Sequence, residues 1–248
     1  MHAAQTGDAG GFFTAVAQAN AKFPSGRWSP FLTNHDQPRA MTVLGDAAKA
    51  RVAASAMLML PGTPFVYYGE EIGMVGPKPD ELIRTPMQWN SASNGGFTTG
   101  TPWEPLQADW KTKNVAAQDS SRRSLLNHYR RLIQLRNAHP ALNSGSLTLL
   151  KTDDTTGTIG AWLRYSRGEA FLIVVNFGPR HGRVITETVP PGSLPGGGLS
   201  HIESAYADPD HACVGGGLFN NGFGGNGLVL LINSVEAHGF CARRLSSR

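Results

Sequence analysis

Trp28–Arg39 reads WSPFLTNHDQPR, and Gly45–Gly69 reads GDAAKARVAASAMLMLPGTPFVYYG. The first stretch is a short strand candidate, Trp28–Thr33, that runs directly into the polar cluster Asn34-His35-Asp36-Gln37. The second opens at Gly45-Asp46, with Asp46 placed to cap a helix N-terminus. That helix, Ala47–Leu60, is apolar almost all round, so burial on every side is expected. Pro61-Gly62 ends it, and Phe65–Tyr68 is a second β-rich run closed by Gly69. Strand, helix, strand predicts a parallel crossover unit. In a parallel barrel the loops at the C-terminal ends of the strands carry the chemistry, and Asn34-His35-Asp36 occupies such a loop.

Working outward, Gly11–Phe23 has Phe12, Phe13, Val16 and Ala19 at helical spacing and stops at Pro24. Residues 70–118 read as a long irregular loop, a length that is uncommon unless it serves a function. Ser121–Ala138 is a second clear helix, with Leu125, Leu126, Tyr129, Leu132 and Ile133 as its apolar stripe and His139-Pro140 at its end. From Gly145 the pattern changes to short strands: Leu147–Leu150, Ile159–Tyr165, Ala170–Asn176, Arg183–Thr188, His201–Tyr206, Leu228–Asn233 and Gly239–Arg243. That spacing predicts an antiparallel sandwich. Pro190–Gly198 and Gly215–Gly227 read as loops. The fold class expected is α/β plus all-β, with a domain boundary near residue 143: residues 1–143, then residues 144–248.

Composition excludes several classes. The chain has 248 residues, with 22 Lys+Arg against 18 Asp+Glu. A charge of +4 over that length is a weak field, and no Lys/Arg-rich run marks a nucleic-acid groove. Arg122–Arg123 and Arg130–Arg131 fit the solvated face of a helix. No apolar run approaches the roughly 18 residues that a membrane span requires, and Met1–Gln5 lacks the basic and apolar regions of a signal peptide. Neither a nucleic-acid nor a membrane partner is expected. Two cysteines, Cys213 and Cys241, rule out a four-cysteine zinc site; they could form one disulfide or stay as two buried thiols.

On spacing alone, Asp36 beside His35 could be a base, an electrostatic stabiliser, a substrate ligand, or merely a capping Asp next to a surface His. The surrounding motifs narrow this. Phe31–Arg39 resembles the fourth signature region of the α-amylase superfamily, glycoside hydrolase family 13. Leu60–Met74, LPGTPFVYYGEEIGM, is similar to that family's eighth barrel strand and its approach. Arg84–Asn90, RTPMQWN, resembles the loop after that strand in the α-glucosidase-like branches, and Leu125–Pro140 resembles the last barrel helix. The resemblance implies that residues 1–143 are the C-terminal portion of a (β/α)8 TIM barrel, and that an antiparallel β-sandwich follows.

The same resemblance implies roles. Asp36 matches the transition-state stabiliser, His35 the histidine that holds hydroxyls of the sugar at the cleavage point, and Arg39 the wall of the same pocket as a substrate-binding residue. An oxocarbenium-like transition state gains positive charge, which a fixed carboxylate stabilises. Glu70 and Glu71 end a strand and look like acid catalysts, but their turn is chiefly structural in the family. Tyr67, Tyr68, Trp89 and Trp103 could stack on sugar rings, with core packing or loop anchoring the more ordinary role. Met57 and Met59 read as core.

A retaining glycosidase also needs a nucleophile and an acid/base. No Gly-x-Arg-x-Asp occurs here, and a barrel of this type runs to about 250 residues. The resemblance therefore implies a fragment of a retaining enzyme acting on α-glucosidic bonds of starch-type or malto-oligosaccharide substrates. Its partner would be the missing N-terminal part of the same barrel, and by itself it would be inactive. The alternatives are an α-glucan transglycosylase or isomerase, or a non-catalytic carbohydrate-binding module. The family's calcium-binding residues lie mostly upstream, so no metal is assigned and no cofactor is expected. Relatives with this loop are often exported, which favours a secreted or periplasmic setting over the cytoplasm.

Overall fold

The computed structural model describes residues 1–23, 26–185, 201–207, 213–214, 217–220, 228–235 and 240–246. The helices run in the order α1 His2–Thr6, α2 Ala9–Lys22, α3 Ala40–Leu44, α4 Ala47–Leu58, α5 Asp80–Ile83, α6 Val115–Asp119, α7 Leu125–Ala138 and α8 Pro140–Asn143. The strands follow as β1 Ser146–Leu150, β2 Ile159–Ser166, β3 Glu169–Asn176, β4 Gly182–Ile185, β5 His201–Ala207, β6 Cys213–Val214, β7 Gly217–Asn220, β8 Leu228–Val235 and β9 Phe240–Ser246. No described helix is long and apolar enough to cross a membrane.

The crossover predicted from the sequence is present in reduced form. The two runs meet only in a parallel bridge, Phe31 with Phe65. Phe65 N–H donates to the Pro30 carbonyl at 2.9 Å and Thr63 N–H to the Trp28 carbonyl at 3.1 Å. The expected strands Trp28–Thr33 and Phe65–Tyr68 are otherwise not ladders. Pro30 and Pro64 each remove one donor from the pair, which is reason enough for the pairing to stay short. Gly62 lets the two segments approach: at its φ of 93°, a Cβ would lie 1.9 Å from the Trp28 carbonyl oxygen.

Asp46 caps α4 as expected, accepting from Ala48 and Lys49 N–H. Every residue from Val52 to Leu58 is buried, as its mostly apolar surface requires, while nearer its start Ala47 is exposed and Lys49 and Arg51 are half-buried. At its C-terminal end α4 leaves carbonyls that need donors. Two buried arginines supply them. Arg136 on α7 donates to the carbonyls of Leu58 at 2.6 Å, Leu60 at 2.7 Å, Gly62 at 2.5 Å and Asn143 at 3.1 Å. Arg164 on β2 donates to Met59 at 2.9 Å and to Gly145 at 3.0 Å. Burial pushes Arg136 down to about 10 and Arg164 down to about 9, so both stay charged at neutral pH.

Helix α7 starts at Leu125 rather than Ser121, because the Ser124 hydroxyl caps it by accepting from Asn127 N–H. Its buried face differs from the predicted stripe. Leu125, Leu126, Tyr129 and Leu132 are inside, but Ile133 is exposed, and His128 and Arg136 fill the inner face instead. His128 Nε2 lies 2.9 Å from the Ser55 hydroxyl of α4, which makes a polar group acceptable there.

Beyond α8 the backbone forms two antiparallel sheets. One has the order β1-β2-β3-β9-β5; the other has β4-β8-β6, with β7 also on β8. Gly217–Asn220, expected in a loop, is β7. The rest of the Gly215–Gly227 stretch, all of Pro190–Gly198 and the 186–188 end of the predicted fourth strand lie outside the described residues. Cys241, buried on β9, is disulfide-bonded. The core crosses residue 143: Phe12 of α2 sits 5.8 Å from the Trp162 ring and 5.3 Å from Phe177, and Glu169 of β3 accepts from Ala141 N–H at 2.8 Å.

Candidate active site

Just past the parallel bridge the chain turns at Asn34. Its side-chain oxygen accepts from Asp36 N–H at 2.9 Å, an Asx turn that presents the next two side chains together. His35 Nε2 lies 3.3 Å from Asp36 Oδ2, with both side chains more than half exposed. A cavity of about 450 Å³ opens beside them, lined by Ser29, Phe31, Thr33, Asn34, His35, Phe65, Val66 and Tyr67. The two strand stubs thus supply its floor and the turn supplies its polar rim.

Arg84, which the sequence offered only as part of the RTPMQWN motif, is the residue that holds this pair. Its Nη2 donates to Asp36 Oδ1 at 2.9 Å and to Asp80 Oδ2 at 2.7 Å, and its Nε donates to the His35 carbonyl at 3.1 Å. One guanidinium therefore fixes both the carboxylate and the backbone of the turn.

Arg39 does not line the cavity, contrary to expectation. It is 1% exposed. Its Nε donates to the Ile83 carbonyl at 2.8 Å and its Nη1 to the Tyr68 carbonyl at 2.6 Å. A substrate-binding Arg needs a free donor at the surface; this one is buried beside the rings of Tyr67 and Tyr68, each centroid 4.7 Å away.

Glu70 is 5% exposed and absent from the cavity wall. Tyr129 donates to its Oε1 at 2.7 Å and Thr33 to its Oε2 at 3.4 Å. It thus ties the strand stub to α7, in keeping with a structural turn. Burial pushes its carboxyl up to about 7, with the two hydroxyls partly offsetting this. The raised value means that the folded state prefers protonated Glu70. Its contribution to stability is full below about 4.5 and is lost as pH rises toward about 7. Glu70→Gln is expected to flatten that fall, on the order of 3 kcal/mol at its largest. Denaturation midpoints at pH 5 and pH 8 test this, and an equal drop in parent and variant would refute it.

Tyr67 lines the cavity, whereas Trp89 and Trp103 are 49% and 59% exposed. Neither indole packs in the core. The loop is anchored through backbone instead: Trp89 N–H donates to Gly95 and its carbonyl accepts from Ala116. Met57 and Met59 are core, as expected. Among the described residues no group of three His, Cys, Asp or Glu side chains could hold a metal ion.

Residues 4–145 match the family model of the α-amylase catalytic domain. The chain belongs to the α-amylase family. Among curated relatives, trehalose-6-phosphate hydrolase of Bacillus subtilis is 32% identical over 68% of this chain and 37% of its own length. Oligo-1,6-glucosidase of Parageobacillus thermoglucosidasius is 35% identical over 60% of this chain and 34% of its own. The α-amylase family chain thus spans about a third of the length of these relatives. Among solved structures, the α-amylase from H. orenii superimposes with a TM-score of 0.76 at 30% identity, covering 99% of this chain and 46% of that one. An isomaltulose synthase mutant from Erwinia rhapontici, solved with D-glucose, gives 0.70 at 26% identity, covering 95% and 46%.

Proposed function

We propose that the chain is part of a retaining glycoside hydrolase acting on α-glucosidic bonds of starch-type or malto-oligosaccharide substrates. In this reading residues 1–143 are the last part of a (β/α)8 barrel and residues 144–248 a β-sandwich packed against it. The observation that supports it is the Asn34 turn: His35 lines a cavity, Asp36 Oδ2 lies 3.3 Å from His35 Nε2, and Arg84 holds Asp36. Asp36 stabilises the positive charge that develops on the sugar, and His35 holds sugar hydroxyls. The nucleophile and the acid/base come from barrel residues beyond these 248. A transglycosylase or isomerase has a specific observation in its favour, the likeness to isomaltulose synthase.

The complete enzyme that includes this segment is expected to release glucose from malto-oligosaccharides as the α-anomer, while the 248-residue chain alone releases none. Release of the β-anomer would overturn the retaining mechanism. Rearranged disaccharides in place of free glucose would favour the isomerase reading.

A further inference from the structure

Three separate segments build the site: the Asn34–Arg39 turn, Tyr67–Tyr68, and Ile83–Thr85. Arg39 touches all three. Its backbone belongs to the first, and its N–H donates to the Gly76 carbonyl at 2.9 Å. Its guanidinium lies over both Tyr67 and Tyr68 and donates to the Tyr68 carbonyl. Its Nε donates to Ile83, the residue before Arg84. The tyrosines complete the frame: the Tyr68 hydroxyl donates to the Thr85 carbonyl at 2.7 Å and the Tyr67 hydroxyl to Ile83 at 3.4 Å. At Gly69, whose φ is 80°, a Cβ would lie 2.3 Å from Met74 Sδ and 3.1 Å from Arg39 Nη1.

We propose that Arg39 is a positioning residue, which acts through Ile83 to aim Arg84 at Asp36 and through the tyrosine rings to hold the Tyr67 wall of the cavity. The role it gives Asp36 rests on the function proposed above; the geometry does not. A planar fork suits this task. It donates along its edge to two carbonyls while its delocalised charge sits beside two aromatic rings. Lysine offers a point charge on a flexible stem and cannot do both. The Glu71 carboxylate adds electrostatic attraction from the side of the turn. Nothing in this arrangement brings Arg39 into contact with a sugar.

The test compares Arg39→Lys with the parent in the 248-residue chain by NMR. Protected backbone amides in α7 serve as the control for folding. Hydrogen exchange at Arg84 Nε–H is expected to speed at least tenfold in the variant. If Arg39→Lys loses the α7 protection, Tyr67→Leu replaces it as the variant. That change removes one ring of the frame together with its hydroxyl bond to Ile83, and should also speed Arg84 exchange. Exchange within twofold of the parent in a folded variant would overturn the proposal.

In the complete enzyme, Arg39→Lys should lower kcat by roughly tenfold or more with little change in KM, because a small misplacement of Asp36 acts on the transition state. Unchanged kcat per folded molecule would also overturn it. The NMR readouts require no turnover. A failed glycosidase assay with a released Arg84 would therefore sink the proposed function and leave this inference standing.

Discussion

Asp36→Asn in the complete enzyme is expected to lower kcat by roughly two to three orders of magnitude, the usual cost of losing one preorganised electrostatic stabiliser. Asparagine keeps the size of the side chain and its place on the Asx turn, but it removes the charge. Arg84 would still hold the His35 carbonyl and Asp80, so the turn itself should survive. The loss should therefore fall on the charged transition state, with KM moved far less. His35→Asn should behave differently. A hydrogen bond to a neutral hydroxyl is worth about 0.5–1.5 kcal/mol and acts in ground and transition states alike. Roughly a tenfold loss, shared between KM and kcat, is expected. Steady-state kinetics on active-site-titrated protein, with a melting curve for each variant, separates the two. If both residues merely shape the turn, both variants lose stability and keep normal kinetics in the folded fraction. Equal turnover per folded molecule for Asp36→Asn and the parent would refute the assigned role.

The second large effect is on stability. Arg136→Ala should cost roughly 3–5 kcal/mol, because four carbonyls lose a charged donor in a buried place. For a chain of this size that corresponds to a melting temperature lower by on the order of 10 °C. Arg136→Lys should fall between, since an ammonium keeps the charge opposite the helix C-terminus but cannot span all four acceptors. Arg164→Ala should also destabilise, by less, because its guanidinium serves two carbonyls. Calorimetry on the four proteins measures the order directly. A melting temperature for Arg136→Ala within about 2 °C of the parent would show that water or a rearranged chain satisfies those carbonyls equally well.

The reach of the sequence follows from the range over which its signals act. Asp46 was legible as a cap because its partners, Ala48 and Lys49, are two and three residues away. The burial of α4 followed from its own composition. Strands β1, β2, β3 and β9 were legible from their local apolar pattern, whereas the sequence marked Asn34 only as part of a polar cluster, and its bond to Asp36 N–H came from the structure. The helices α1 and α3 were missed: each is five residues long and carries too little periodicity to register. On α7 the apolar pattern pointed to Ile133, yet the fold turned Arg136 inward instead. That choice rests on carbonyls 74 to 78 residues away, which no local pattern contains.

For this protein, then, the sequence by itself determined the capped and largely apolar helix α4, the strands β1, β2, β3 and β9, the family, and the adjacent His35-Asp36 pair. Those depend on backbone propensity, side-chain polarity and neighbours within a turn or two. Only the tertiary structure decided that Arg84, 48 residues beyond Asp36, is its partner, that Arg39 lies behind the cavity rather than on its wall, and that Glu70 is bonded to Tyr129. An arginine or a glutamate can bond any nearby carbonyl, hydroxyl or opposite charge. Which one it meets is set by where packing of the apolar faces leaves it, and that is fixed only when the whole chain has folded.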